Sequence, residues 1–303
     1  MTLACPICES HRAADYAVVG YGWQPGGVER FAVLRCRQHG VEFADALPLP
    51  EPDERRKESL DHLYGASAIE PQARYVDFMD RVERVAGRPA GGLLHDVGCG
   101  NGHLLLEARR RGWRVEGNDI VASVRDEIAR HGVTCLIGNL SELDLATDSC
   151  DVVTSFCVLP HHLTDPSPEM AVVLRMLRPG GWFVLQLPVN GPMRRATKLI
   201  YRLCWPWRPT RLARFVLGNL YGPGGHQFAF SEESLGAYLR KCGFCEVTFS
   251  PYRLPSRYTL TRFAGKPWWL RGAARGAVTL LGLAGHALRL PNHAIGFARK
   301  PVT

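Results

Sequence analysis

The sequence of 303 residues lacks an apolar run long enough to span a membrane as a helix. Its longest apolar stretch near the C-terminus, residues 277–290, is interrupted by Thr279 and His286 and is too short to cross a bilayer. No secretory signal is recognisable before Cys5, and no internal repeat or low-complexity tract is present. These absences argue against a membrane-spanning, secreted or disordered protein, and they predict a cytoplasmic globular one.

Acidic residues are scarce in the C-terminal part of the chain. Residues 170–303 contain twenty Lys and Arg but only three acids, Glu232, Glu233 and Glu246, within an overall net charge of +8. Such an asymmetry predicts that this part faces something anionic: a membrane surface, a phosphorylated substrate or nucleic acid. A solvated basic face without a partner is the alternative.

The ten cysteines, in a chain without a recognisable signal, favour thiol or metal chemistry over disulfides. Two pairs have metal-ligand spacing, Cys5 with Cys8 and Cys36 with His39. Thiolate and imidazole donors on two such turns suit a structural Zn²⁺, which a module as small as residues 1–50 needs for stability. Four unrelated side chains are the alternative interpretation.

The rest of the chain alternates between strand and helix patterns. The predicted strands are 93–97, 113–118, 134–137, 151–156, 182–187, 246–250 and 294–298, and the predicted helices are 103–111, 123–131, 170–177, 232–241 and about 269–290. This alternation predicts an α/β domain whose parallel sheet is covered on both faces. We divide the chain into a ribbon module (1–50), a helical lead-in and linker (51–90) and a main domain (91–303) with a basic, aromatic insertion at about 191–227.

A glycine-rich turn, DVGCGNG, follows the first strand of the main domain. Gly98, Gly100 and Gly102 let the backbone turn sharply and approach a ligand closely. The G-x-G-x-G spacing differs from the dinucleotide fingerprint, in which the third glycine comes one residue later. The turn therefore predicts a ligand other than a dinucleotide.

This turn resembles the first motif of class I S-adenosylmethionine methyltransferases, and further motifs of that family follow in order up to Phe244. The resemblance implies a Rossmann-like, mostly parallel seven-stranded sheet and S-adenosylmethionine as cofactor. It implies that Asp96 lies near the amino acid end of the cofactor, that Asp119 accepts the ribose hydroxyls, and that Asn139 stands where the family has an aspartate for adenine. The implied cofactor-binding residues are Asp96, Gly98, Gly100, Asn101, Gly102, Asp119, Ile120, Asn139, Leu140 and Phe156.

The N-terminal module resembles the zinc ribbon that precedes many bacterial small-molecule methyltransferases, although their last ligand is commonly Cys where this chain has His39. A ribbon also precedes some guanine methyltransferases of large-subunit ribosomal RNA. We therefore expect O- or C-methylation of a small molecule, such as a lipid-linked or phosphorylated intermediate, with ribosomal RNA as the alternative acceptor. A non-catalytic zinc-ribbon binding protein that retains the cofactor fold is the alternative from another class.

Histidine is the side chain that best serves as a general base at neutral pH. The candidates are His161 and His162, which follow the fourth strand of the main domain, and His226, which begins GHQFAF. Cys99 and Cys157 are expected to be packing residues, because the sequence shows no activating base beside them.

Two basic and aromatic segments, residues 193–220 and 268–275, have the composition of an interfacial membrane contact. They predict peripheral association with an anionic inner membrane face. A substrate lid with a solvated basic face is the alternative for the first segment.

Overall fold

The computed structural model describes residues 4–23, 30–45, 58, 72–87, 90–162, 164–190, 199, 226–252, 267–288 and 292–302. The insertion at about 191–227 and residues 51–71 of the predicted lead-in and linker (51–90) fall almost entirely outside these ranges. The membrane-contact prediction for 193–220 therefore lies outside the described residues, apart from Leu199.

The main domain is built on a seven-stranded sheet with the order β10-β11-β8-β7-β4-β5-β6. Strand β11 pairs antiparallel with both of its neighbours, and the remaining pairs are parallel. The predicted seven-stranded, mostly parallel Rossmann-like sheet is thus confirmed. The strands are β4 (Leu93–Val97), β5 (Arg114–Asp119), β6 (Thr134–Ile137), β7 (Cys150–Phe156), β8 (Leu177–Pro188), β10 (Cys245–Tyr252) and β11 (His293–Arg299).

Helices cover both faces of this sheet, and the central strands β4, β7 and β8 accordingly have runs of consecutive buried residues. The first three helices pack in one hydrophobic cluster, and the next two pack in a second cluster on the other face. The helices are α1 (Ala73–Ala86), α2 (His103–Arg110), α3 (Val124–Ala129), α4 (Ser167–Met176), α5 (Glu232–Lys241) and α6 (Trp268–Ala287).

Helix α5 shows how local sequence sets an element boundary. The Ser231 hydroxyl accepts the Ser234 N–H at 3.1 Å, and the Ser234 hydroxyl accepts the Ser231 N–H at 2.9 Å. This reciprocal capping box satisfies two N–H groups at the helix start. Gly243 follows the helix with a φ of +100°, which reverses the chain into β10.

The N-terminal module forms three strands, β1 (Tyr16–Trp23), β2 (Arg30–Cys36) and β3 (Glu42–Asp45). The short strand β9 (Phe228–Ala229), which comes from the main domain, joins them as a fourth. Phe43 pairs with Phe228 in this sheet. The module shares the second hydrophobic cluster with α4 and α5, so it is continuous with the main domain.

The structure corrects three details of the sequence prediction. Helix α4 ends at Met176, and β8 begins at Leu177 where we placed the last helical residue. Pro179–Gly181, which lies between the predicted helix 170–177 and the predicted strand 182–187, is inside β8, and Gly180 has a φ of +78° there. Strands β3 and β9 were not predicted, and β9, with two residues, is too short to show an alternating pattern.

Within the described residues, no helix has both the length and the apolarity needed to cross a bilayer.

Candidate functional site

The glycine-rich turn lies at the carboxyl end of β4, at the sheet edge where open α/β folds bind their ligands. Gly98 has a φ of +66°, and Gly100 and Gly102 are also left-handed. A Cβ atom on Gly98 would lie 2.4 Å from Val158 Cγ2. Glycine is therefore required at position 98 on two grounds, the conformation and the space.

Asp119 ends β5 beside this turn and fixes its shape. One carboxylate oxygen accepts the Gly100 N–H at 2.8 Å, and the other accepts the Val121 N–H at 2.9 Å. A carboxylate has two lone-pair-bearing oxygens, so Asp119 can hold both backbone N–H groups at once. Ribose binding by Asp119 stays a prediction, and the structure adds a role in holding the turn.

Asp96, the acidic residue of the motif, is buried at the end of β4. Its Oδ1 accepts a hydrogen bond from the Thr154 hydroxyl at 2.7 Å. Burial raises the pKa of Asp96 to about 7, and the bond from Thr154 offsets only part of that effect. A buried carboxyl group with a pKa near neutrality suits the recognition of a cationic ligand group.

The other predicted cofactor residues surround the same edge. Ile120 is 46% exposed immediately after β5, and Asn101 is buried within the turn. Asn139 is exposed after β6, and its side-chain N–H donates to Glu142 at 3.1 Å, which leaves its oxygen as an acceptor. Leu140 is fully buried.

Phe156, at the end of β7, packs in an aromatic cluster with Tyr75, Phe78 and Tyr252 at centroid distances of 5.2, 5.4 and 6.1 Å. Tyr75 also stacks on His103 at 5.7 Å. Helix α1 therefore covers the sheet edge next to the turn. Sequence reasoning missed Tyr75, His103 and Thr154, and in α1 the only available signal was the apolar periodicity.

The three candidate histidines do not occupy equivalent places. The rings of His161 and His226 are in edge-to-face contact with centroids 4.7 Å apart, and Cys157 Sγ lies 4.0 Å from His226 Nε2. His162 lies outside this group, and burial, with the neighbouring His161, lowers its pKa to about 4. The structure therefore brings together His161 and His226 and separates His162 from them.

Cys157 has a neighbour that the sequence did not predict. His226, 69 residues away in the sequence, lies near its thiol, whose pKa burial raises to about 12, so the packing role stays a prediction. Cys99 fits the packing interpretation, because it is buried against the thiol of Cys135 at 3.6 Å. Cys157, His161 and His226 are referred to below as the histidine cluster.

Residue 227 anchors the histidine cluster to the N-terminal module. The Gln227 N–H donates to Pro160 O at 2.6 Å, and the Gln227 side chain donates to Ala44 O at 2.7 Å. The Ala44 N–H donates in return to Gln227 O at 3.0 Å. His226 is thus held between the segment after β7 and strand β3.

The four predicted metal ligands of the N-terminal module converge. Their ligand atoms lie within 4.8 Å of one another. Cys36 Sγ is 3.7 Å from His39 Nδ1, Cys5 Sγ is 3.9 Å from the same nitrogen, and the Sγ atoms of Cys8 and Cys36 are 3.8 Å apart. Tetrahedral Zn²⁺ places such atoms roughly 3.5 Å apart, so the residues fit the ion.

The two ligand-bearing turns have the same backbone form. The N–H of Glu9 donates to Cys5 O at 2.8 Å, and the N–H of Gly40 donates to Cys36 O at 2.9 Å. Both donors have a left-handed φ, +53° at Glu9 and +68° at Gly40. In each turn the residue after the second ligand closes back on the first ligand, which aims both side chains at one point.

Parts of the chain that include this sheet edge are similar to known proteins. Residues 95–185 match the model of a family described as "Methyltransferase domain". A "Probable S-adenosylmethionine-dependent methyltransferase" of Mycolicibacterium smegmatis is 37% identical over 110 residues, which are 35% of this chain and 42% of that protein. A "Ubiquinone biosynthesis O-methyltransferase" of Albidiferax ferrireducens is 26% identical over 161 residues, which are 50% of this chain and 59% of that protein.

The chain spans less than two thirds of the length of both relatives. Among solved structures, the [4+2]-cyclase SpnF has a TM-score of 0.50 at 18% identity, with 85% of this chain and 99% of that chain covered. This likeness shows a shared fold. Residues 95–185, the part of the chain that matches this family model, include β4, β5, β6, β7 and most of β8.

Proposed function

We propose that this protein is an S-adenosylmethionine-dependent methyltransferase that acts on a small-molecule acceptor. The observation that carries the proposal is the left-handed G-x-G-x-G turn, set between the carboxylates of Asp96 and Asp119 at the carboxyl edge of the sheet. The match of residues 95–185 to a methyltransferase domain supports it. The relatives that support a small acceptor include enzymes named for ubiquinone biosynthesis.

The residues at this edge fit the cofactor. Asp96 would meet its amino group, Asp119 its ribose hydroxyls, and Ile120 with the Asn139 oxygen its adenine. When bound, the cofactor supplies a methyl group already activated on a sulfonium sulfur. The protein then has to hold the acceptor atom in line with that methyl group and to remove the acceptor's proton.

The histidine cluster is the group best placed to activate the acceptor. It adjoins the cofactor turn, because Val158, the residue after Cys157, contacts Gly98. His161 and His226 present two imidazoles to one point. Burial lowers the pKa of His162 to about 4, so this residue is a poor base at neutral pH.

The proposal is tested with full-length protein and S-adenosylmethionine carrying a labelled methyl group. Calorimetry should detect cofactor binding, and incubation with host extract should label a small molecule in a nuclease-treated sample as strongly as in an untreated one. Label confined to RNA would establish the RNA alternative. The absence of any cofactor affinity would instead leave a non-catalytic protein with a zinc ribbon.

Asp96 predicts a pH dependence of cofactor binding. Because its pKa is about 7 in the cofactor-free protein, the group is largely protonated below that pH. Pairing with the cofactor's amino group requires the carboxylate, so each pH unit below 7 should weaken binding about tenfold. Calorimetry at about pH 6.5 and pH 5.5 measures this slope, and Asp96→Asn should abolish it. An equal slope in that variant would show that another group titrates.

The stability of the cofactor-free fold depends on pH in the opposite direction. A raised pKa means that the neutral Asp96 stabilises the cofactor-free fold at low pH, and this contribution is lost as the pH rises through about 7. In thermal unfolding without cofactor, the Tm of Asp96→Asn should therefore fall less than that of the wild type as the pH rises through about 7.

We also propose that the N-terminal module is a structural zinc ribbon held by Cys5, Cys8, Cys36 and His39. Four protein ligands leave no open position, which is typical of a structural site. Cys36→Ser should lose one zinc per chain and lower Tm by roughly 10 °C, because structural zinc contributes directly to folding. Cys245→Ser, at a half-buried thiol outside both clusters, is the control. Full zinc content in Cys36→Ser would rule out this ligand set.

A further proposal concerns the membrane. Helix α6 exposes Trp268 (80%), Trp269 (59%) and Leu280 (68%), with Arg271 and Arg275 also exposed and no acidic residue in the helix. Tryptophan with arginine on an exposed apolar helix suits the interface of an anionic bilayer. We therefore expect peripheral binding, which would bring the protein to a lipid-linked acceptor.

Co-sedimentation with vesicles tests the membrane proposal. Binding should be at least tenfold stronger to phosphatidylcholine–phosphatidylglycerol vesicles than to phosphatidylcholine alone, since each arginine near an anionic surface contributes about 1 kcal/mol. Trp268→Ala with Trp269→Ala should reduce it, and Val302→Ala, at another exposed apolar residue, should not. Unchanged sedimentation in the double variant, or binding to RNA in place of vesicles, would refute the lipid interpretation.

A further inference from the structure

The geometry points to a second metal-binding site, distinct from the ribbon and formed by the histidine cluster. The Sγ of Cys157 and the ring nitrogens of His161 and His226 lie within 4.8 Å of one another. One thiol and two imidazoles are a donor set that suits Zn²⁺ and the divalent metals close to it. Binding would take the proton of the Cys157 thiol to solvent, because the thiolate is the ligand.

The separations are close to those a tetrahedral ion needs. Bonds of about 2.0–2.3 Å to nitrogen and sulfur put neighbouring ligand atoms roughly 3.5 Å apart. Cys157 Sγ and His226 Nε2 are already 4.0 Å apart. A side-chain adjustment of roughly 1 Å would complete the site without a change in the backbone.

The backbone holds the thiol in an unusual conformation. Cys157 has a φ of +64°, which residues other than glycine seldom adopt. Its N–H donates to Gln186 O at 2.7 Å, which fixes this conformation at the end of β7. Strained residues of this kind concentrate at functional sites, and here the strain directs the thiol toward His226.

The two sides of the site are preformed by separate anchors. His161 ends a short 3-10 helix, Leu159–His161, whose first residue is buried. His226 is held by the hydrogen bonds of Gln227 to Pro160 and Ala44. The ligands are therefore brought together by the fold, which lowers the cost of ordering them around an ion.

Three protein ligands leave a fourth coordination position, which is typical of catalytic sites and differs from the closed ribbon. The contact between Val158 and Gly98 places the cluster beside the cofactor turn. The open position would then take an oxygen atom of a hydroxylated acceptor and lower the pKa of that hydroxyl group. This last step rests on the proposed methyltransferase function, whereas metal binding does not.

Titration of the metal-free, reduced, full-length protein with Co²⁺ tests the site, because cobalt–thiolate absorption reports each bound equivalent. The wild type should bind one more equivalent per chain than Cys157→Ala. His161→Asn and His226→Asn should each weaken that equivalent at least tenfold. Cys8→Ser should lose a different equivalent, that of the ribbon.

Matched controls are Cys245→Ala and His131→Asn, which change a half-buried thiol and a half-buried imidazole outside both clusters. Equal stoichiometry and affinity in the wild type and Cys157→Ala would overturn the proposal. If Cys157→Ala does not fold, the cobalt titration of His161→Asn decides. His161 is exposed, so its replacement should leave the fold intact.

Calorimetry with S-adenosylmethionine on the same samples keeps the two proposals apart. Loss of the extra cobalt equivalent with intact cofactor binding in Cys157→Ala supports the metal site. Cofactor affinity in a wild type that lacks the extra equivalent would reject the metal site alone. The extra equivalent without any cofactor affinity would reject the proposed methyltransferase function alone.

Discussion

Gly98→Ala is expected to weaken S-adenosylmethionine binding by two to three orders of magnitude. The new Cβ would lie 2.4 Å from Val158 Cγ2, well inside van der Waals contact, so the turn or the segment after β7 must shift. The left-handed φ of +66° adds about 1–2 kcal/mol for a residue with a side chain. Both effects act on the turn that would contact the cofactor, and calorimetry measures the loss.

Two variants separate the clash from the backbone strain. Gly112→Ala has a φ of +92° with nothing within 4 Å of its Cβ, so it should destabilise the fold slightly and leave cofactor affinity unchanged. Val158→Ala, combined with Gly98→Ala, removes the contacting methyl groups and should restore part of the affinity. If Gly98→Ala binds as tightly as the wild type, the turn does not hold the cofactor in this conformation.

His226→Ala is expected to reduce the initial rate of labelled methyl transfer about 100-fold or more while cofactor affinity stays within twofold. A group that activates the acceptor typically contributes 10²- to 10⁴-fold. His226 would act on the acceptor and not on the cofactor turn, so the loss should fall on transfer. Labelling of the host-extract acceptor, together with calorimetry, measures both quantities.

His131→Ala is the matched control for His226→Ala. His131 is also half-buried, but it lies in the turn after α3, away from the histidine cluster. Its transfer rate should match that of the wild type. A rate in His226→Ala that equals the control would remove His226 from the acceptor site and leave His161 as the remaining candidate.

Much of the main domain could be predicted because its signals are local. Each parallel strand is a short apolar run followed by a polar or glycine-rich turn, and the helices between them carry their own periodicity. The G-x-G-x-G spacing alone favours a ligand other than a dinucleotide at this turn. The spacing of Cys5 with Cys8 and of Cys36 with His39 similarly predicted two turns that face each other.

The features that the sequence could not predict are formed by contacts between segments that lie far apart in the chain. Ala44 and Gln227 are 183 residues apart, and a strand of two residues such as β9 has no periodicity to recognise. The same holds for Cys157 and His226, which are neighbours only because the segment that follows β7 meets the segment that precedes β9. The proximity of Cys157 to His226 was therefore not predicted, whereas the histidines were recognised by residue type alone.

The pairing of β3 with β9 has a consequence for the order in which the chain folds. During synthesis, β1, β2 and β3 emerge early, but their sheet stays incomplete until residues 228–229 follow. The edge of β3 and the phenyl ring of Phe43 would remain uncovered for most of translation, a state that invites pairing with other chains. Because closing so long a loop is slow, the N-terminal module should reach its final state among the last parts of the protein.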